Sequence, residues 1–457
     1  MNAMRIGWPA VLLACITMAA CSSLESGSPS VTKQDPIIFV HGNSDNSSLF
    51  ITTAWRFESN GWPADRLFAF DLPSPVSRDL DDVAQPGRSS AQDYTDFLSA
   101  RIAEVLHRTG ATRVILIGNS RGGYPIRRVI KDGDASKVAA AILGGTPNHG
   151  VFISSTSRVT NEYNGAGPWL TALNAPQGSS GMEVTPGVPL LTLRSDGNDK
   201  YAQPIISAPG QPDVQTKITA DGPALRGAKN LVLPGVDHRE TIYSSAAFKA
   251  MYDYLTGELP TKDVVPEREP IISGHVYAID QKQTTNLPLA GTKLVIYLVD
   301  PTTGERRGPP VFVQGVAMGG AFGPVTLESR ARYEFVLSHQ GYATTHIYPG
   351  ALLRSTRWLN LTLQPEDAKP VPDALVTLTR ISGYFNTKRD HIDIDGQTPP
   401  AIITPIPTLS STTVTIPASE GTRAVAAHFN GETIVVRAYP NQDGAQGSQR
   451  VVAELLD

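Results

Sequence analysis

The chain has 457 residues, room for two or three domains of roughly 100–200 residues each. Its 39 Lys and Arg against 43 Asp and Glu leave a formal charge of −4 with no basic stripe, which argues against nucleic acid as a partner. Forty glycines and 36 prolines suit a loop-rich, β-rich protein better than a helical bundle.

The N-terminus reads as a targeting segment. Arg5 gives it a positive start, and Ala10 to Ala20 is an apolar stretch too short to span a bilayer comfortably. It ends in Thr17-Met18-Ala19-Ala20-Cys21, which resembles the lipobox of bacterial lipoprotein signals, with Met18 where leucine is more usual. That resemblance implies cleavage before Cys21, lipidation of its thiol, and a protein anchored in the bacterial cell envelope at the outer membrane, or secreted. Residues 1–20 are then a signal, and residues 21–34, rich in Ser, Pro and Gly, a tether. A plain secretory signal with a coincidental cysteine is the alternative. Cys15 leaves with the signal, so the mature chain is expected to hold no intramolecular disulfide. No other apolar run is long enough for a membrane span.

Pro36 to Val40 is an apolar strand running into His41-Gly42-Asn43. Arg66 to Phe70 is a second strand, and Asp71 to Pro86 a loop rich in Pro and Asp. Ser90-Ala91-Gln92-Asp93 opens a helix with a capping-box pattern, Leu98, Ile102, Val105 and Leu106 line its apolar face, and Gly110 stops it. Val114 to Ile117 is a β-branched run suited to a central strand. Gly118-Asn119-Ser120-Arg121-Gly122 follows at once, then a helix-forming segment. This is the GxSxG nucleophile elbow in its strand–turn–helix context. Glycine at 118 and 122 relieves crowding on a tight turn and leaves the Ser120 hydroxyl above the sheet.

Val138 to Leu143 is another buried strand. Phe152 to Gly187 has no strong period and reads as either a mobile lid or a fixed insertion. Val188 to Arg194 is the next strand, followed by Ser195-Asp196-Gly197-Asn198-Asp199, where Asp196 and Asp199 compete as the acid that orients a base. Asn230 to Leu233 is the last core strand, and Ser244 to Leu255 closes the domain as a helix. His238 lies between them, after the serine and after the acid, in the order Ser…acid…His of this fold, and is the candidate base. His41 precedes the serine and reads as structural. Backbone N–H groups of Asn43 and Arg121 are the candidate oxyanion donors.

The stretches FVHGN, SNGWPADRLFAFD, TGATRVILIGNSRGG, VAAAILGG and LRGAKNLVLPGVDHRETIYSS resemble the lipase class 2 family, whose small member is the Bacillus-type minimal lipase. The resemblance spans Pro36 to about Gly257. It implies an α/β-hydrolase domain at residues 35–258, with His238 as the catalytic histidine. The family's acid precedes a short apolar run, which favours Asp199, before Lys200-Tyr201-Ala202, over Asp196. The family commonly has His before the nucleophile and Met after it; here they are Asn119 and Arg121. A guanidinium beside the acyl site is then expected to shift substrate preference toward polar or acidic groups.

Leu259 to Pro270 is a proline-rich, charged linker. Beyond it, short alternating strands in SGHVYA, LPLAGTKLVIYLVD, GGAFGPVTL and YEFVLSHQGY, and at Trp358 to Leu363, resemble a prealbumin-like or carboxypeptidase-regulatory sandwich over residues 271–364. A second linker leads to residues 373–457, read as another β domain with strands at Thr412 to Ile416, Ala424 to Phe429 and Glu432 to Ala438. A hydrolase with a β-rich tail resembles an archaeal two-domain lipase, in which the tail helps bind lipid. A passive spacer is the other reading.

The expected fold is thus an α/β parallel-sheet hydrolase followed by one or two small all-β domains. The expected activity is that of a serine carboxylesterase or lipase acting through an acyl-enzyme on Ser120, on an ester or lipid substrate. A polyester depolymerase, an amidase or thioesterase on the same residues, and a non-catalytic surface-binding lipoprotein are the alternatives. The chemistry calls for no cofactor, and no metal-ligand spacing is visible.

Overall fold

The computed structural model describes residues 29–177, 181–206, 213–280, 283–369, 371–441 and 448–456. Cys21 and the expected signal lie outside them. Among the described residues, no helix is long and apolar enough to cross a membrane.

The first body is a six-stranded parallel sheet built from β1 (Ile37–Val40), β2 (Leu67–Ala69), β3 (Val114–Asn119), β4 (Val138–Gly144), β5 (Leu190–Ser195) and β6 (Lys229–Leu233). They lie in the order β6-β5-β4-β3-β1-β2, with Ile37 opposite both Leu67 and Ile115. Every residue of β1, β3 and β4 is buried, as a strand covered on both faces must be. Ile37 and Phe39 join one core beneath α1 (Ile51–Ser59), whereas Ile38 and Val40 join the other, against α2 (Ala91–Thr109) and α3 (Gly123–Lys131). The helix α2 starts where its capping box predicts. Ser90 Oγ accepts the Asp93 N–H, the Asp93 carboxylate accepts the Ser90 N–H, and Gly110 ends the helix at φ 66°. The short α4 (Pro168–Asn174) lies in the insertion, α5 (Glu240–Tyr243) follows β6, and α6 (Ser245–Thr256) closes the body. This is the expected α/β-hydrolase sheet.

The tail is all β. Its largest sheet holds seven strands, from β9 (Lys293–Val299) with β10 (Phe312–Gly315) on its outer edge, through β12 (Arg332–Ser338), β13 (Thr344–Pro349), β20 (Gln449–Leu455) and β15 (Ala374–Arg380) to β17 (Ser411–Ile416). A second sheet groups β7 (Ile271–Asp280), β8 (Gln283–Pro288), β11 (Ala321–Thr326) and β14 (Leu361–Leu363). A three-stranded sheet joins β16 (Ile392–Ile394), β18 (Arg423–Phe429) and β19 (Glu432–Ala438). The boundary expected near residues 364–373 falls inside the seven-stranded sheet, because β20 pairs in parallel with β13 before it and β15 after it.

The strand expected over Trp358 to Leu363 is confined to Leu361–Leu363. Its first residues bind the hydrolase body instead. The Trp358 carbonyl accepts from Ser48 Oγ, the Asn360 N–H donates back to that oxygen, and the Trp358 ring lies edge-on to Phe39 at 5.9 Å. Buried residues of both bodies, among them Phe39, Trp55, Ile272 and Trp358, form one continuous core. Tail and body are packed together, not tethered.

Candidate active site

Ser120 is half-buried and holds φ at 52°, a left-handed conformation that costs an ordinary residue about 1–3 kcal/mol. The neighbouring glycines show what holds it there. A Cβ on Gly122 would lie 2.3 Å from the Val40 carbonyl oxygen and 2.6 Å from that of His41, both fixed backbone atoms. A Cβ on Gly118 would lie 2.6 Å from Ile126 Cδ1 and 3.0 Å from the Gly122 backbone. Strand, turn and helix therefore close on one another only without those side chains.

His238 follows β6 and is buried. Its Nδ1 lies 2.9 Å from Asp199 Oδ2. An ionised carboxylate can only accept, so Nδ1 carries the hydrogen and Nε2 is the acceptor. That Nε2 is buried with no protein partner, and both His238 and Ser120 line a cavity of about 380 Å³. The second Asp199 oxygen accepts the Tyr201 N–H at 2.8 Å, and the Tyr201 ring stands edge-on to the imidazole at 4.6 Å. Asp196 is occupied elsewhere. It accepts from the Gly235 N–H at 2.8 Å and from the Asn198 amide at 2.9 Å. Partial burial pushes its carboxyl up, but these bonds outweigh it and hold the group below the ordinary carboxylate range.

Asn43 also lines the cavity, and its loop is pinned. The Asn43 side-chain oxygen accepts the Ser77 N–H, and the Ser44 N–H donates to the Pro75 carbonyl. A Cβ on Gly42 would come within 3.2 Å of Ser120 Cβ, so only glycine lets this loop approach the serine so closely. His41 braces the same loop. Its Nε2 accepts the Leu72 N–H at 3.1 Å, and burial lowers its pKa, which favours the neutral ring that can accept. Arg121 follows Ser120 at the first turn, so its N–H is near the Ser120 hydroxyl. Its guanidinium is not. The expectation of a cation beside the acyl site is corrected here: the group is buried, paired with Glu162 at 2.5 Å and bonded to the Pro75 carbonyl and to Ser89. A buried Arg needs a carboxylate, and the one it meets lies in the insertion.

Residues 34–160 match the family model of lipase (class 2), and residues 271–365 match that of the lipase C-terminal domain. The Ser120 turn and the strands before it thus lie in a stretch similar to class 2 lipases. Among solved structures it is similar to Aspergillus fumigatus lipase B, at 16% identity over 50% of this chain and 54% of that chain, TM-score 0.33. It is similar also to phospholipase PlaB from Legionella pneumophila, at 13% identity over 72% of this chain and 94% of that chain, TM-score 0.31. Bacillus licheniformis lipase BlEst2 in mature form matches at 21% identity over 50% of this chain and 92% of that chain, TM-score 0.29.

The first body does not complete the cavity alone. Its far wall is Tyr384 and Thr408 to Ser411, from the tail, facing Lys200, Tyr201 and Arg239. The tail also grips the histidine loop. The Tyr384 N–H donates to Asp237 Oδ2 at 2.6 Å, and Glu240 pairs with Arg380 at 2.7 Å and Arg389 at 2.5 Å. The structure brings Ser120, Asn43 and His238, each read from a strand end, to one cavity, with Asp199 on the imidazole. Tyr384 and Thr408 to Ser411 escaped the sequence reading, because they lie far along the chain with no motif to mark them. Lys200 was visible only as a neighbour of Asp199.

Proposed function

We propose that the protein is a serine carboxylesterase or lipase that hydrolyses esters through an acyl-enzyme on Ser120. The observation that carries this reading is the Asp199–His238 contact, with Nε2 turned free of protein partners in the cavity that holds Ser120. Nε2 takes the hydroxyl proton as Ser120 Oγ attacks the carbonyl, and Asp199 fixes the tautomer and stabilises the imidazolium. The Asn43 and Arg121 N–H groups receive the developing oxyanion, each donor lowering the barrier by about 3 kcal/mol when correctly aimed. The imidazolium then protonates the leaving alcohol, and water activated by the same nitrogen frees the acid.

Hydrolysis of p-nitrophenyl esters from acetate to palmitate tests this, with wild type beside Ser120→Ala. Turnover lost with Ser120 is expected, by about 10⁶-fold in kcat. Retained turnover in the variant would refute the assignment. The preferred chain length separates esterase from lipase. We place the enzyme in the bacterial cell envelope through a lipidated Cys21, on the strength of its lipobox. Cys21→Ser should then move the protein from the membrane to the soluble fraction, and continued membrane association would remove the anchor.

A further inference from the structure

Two cations line the cavity, and they are not equivalent. Arg239 is spent: its guanidinium meets Asp45 at 2.5 Å and donates to the Ile381 carbonyl at 3.0 Å. Lys200 is not. Among the described residues its Nζ has one hydrogen-bond partner, the Thr408 carbonyl at 3.0 Å, and no carboxylate within ion-pair reach. The ammonium otherwise rests on aromatic faces, 4.0 Å from the centre of the Tyr384 ring and 5.1 Å from that of Tyr201. An ammonium carries three N–H donors, so two remain for something that enters the cavity.

Its position says which part of a substrate that would be. Tyr201 packs against His238, so Lys200 lies on the histidine side of Ser120. The histidine must reach the leaving oxygen to protonate it, and the alcohol half of the ester therefore lies on that side. We propose that Lys200 is a specificity-determining residue that binds an anionic oxygen group, carboxylate or phosphate, carried on the alcohol half of the ester substrate. The inference rests on the ester-hydrolase reading above and deepens it.

The charges around Lys200 agree. Burial pushes its pKa down to about 8, helped by Arg239 and opposed by Asp45, Asp199 and Asp237. The Tyr201 and Tyr384 phenols, pushed upward by burial, stay neutral beside it. The ammonium is thus charged at neutral pH but under-compensated, the condition in which an incoming anion gains most. A purely structural role, a cation pinning the tail through Tyr384 and Thr408, uses the same contacts. It makes no distinction between charged and neutral substrates, which is what the test exploits.

Two substrate pairs share a butyryl group and differ in the charge of the alcohol: 3-butyryloxybutanoate against 3-butyryloxybutanamide, and 1-butyrylglycerol-3-phosphate against 1-butyrylglycerol. In the full-length enzyme, kcat/KM for the anionic member of at least one pair should exceed that of its neutral partner about tenfold, and the pair that shows it identifies the anion. Lys200→Met and Lys200→Gln should each lower that ratio tenfold or more, through KM, and Lys200→Arg should restore most of it. The ratio should also decline as pH rises through about 8. Equal turnover within both pairs, or a parallel fall of both members in the variants, overturns the inference and leaves Lys200 as a structural anchor. Should Ser120-dependent turnover of p-nitrophenyl esters occur with none of the four butyryl esters cleaved, the inference fails while the hydrolase reading stands. If no ester is cleaved, both fail.

Discussion

Asp196 and Asp199 stand three residues apart on one loop and have opposite surroundings. Asp196 faces the Gly235 N–H and its own loop; Asp199 faces the imidazole. Asp199→Asn should therefore lower kcat by on the order of 10⁴-fold with little change in folding, because an amide in place of the carboxylate favours the wrong histidine tautomer. Asp196→Asn should cost far less rate and show mainly as lower stability, since it weakens a turn. Steady-state kinetics of the two variants, each paired with a urea melt, checks this, and the reverse order would reassign the acid. The same scale explains the Arg121 correction. Sequence places Arg121 one residue after Ser120, which fixes its backbone N–H but not a long side chain. The direction of the guanidinium was settled by Glu162, 41 residues further on, and no local pattern announces such a pair.

At the scale of elements, the helix α2, the elbow strand β3 and the positions of the six parallel strands, though not their order in the sheet, were legible because each has its own local signal. Capping residues, β-branched runs and glycines needed at close approaches all act within a few positions of where they appear. The insertion was not legible, since its order comes from contacts with distant loops. Asn161, Glu162 and Asn164 are fully buried within it, and the Asn161 amide donates to the Arg78 and Asp79 carbonyls. Swinging this segment outward would strand the buried Arg121 charge, and breaking such a pair costs about 3–5 kcal/mol. The part around Glu162 is therefore a fixed strut beneath the elbow. In the tail, alternation of apolar residues located several strands but not β13, β15 or β20, and alternation does not say which strand pairs with which. The pairing of β20 between β13 and β15 has no counterpart in any local stretch.

For the whole molecule, the joint between body and tail changes what removing the tail should do. A lipid-collecting appendage could be cut away with loss of long-chain activity alone. Here the cut would uncover the Phe39–Trp358 contact, leave the Glu240 carboxylate without Arg380 and Arg389, and open one side of the cavity. A chain ending at Leu259 is expected to lose activity toward short soluble esters as well, with a lowered thermal midpoint or outright aggregation. Undiminished short-ester turnover by that fragment would show the tail to be energetically separate. The tail's Glu334 illustrates how self-contained the remainder is. Burial pushes its carboxyl up, but hydrogen bonds from His346 and Arg306 prevail and hold it down to about 2.

The place of β20 has a consequence for how the enzyme is made. This strand follows every other described strand in the chain, yet lies inside the seven-stranded sheet, flanked on both sides. On a ribosome, β13 and β15 emerge first and must wait with their inner edges open until it arrives. The tail sheet that carries Tyr384 next to β15, and Ser411 at the start of β17, is incomplete until that moment. The wall that these residues give the cavity is therefore not complete until β20 has emerged.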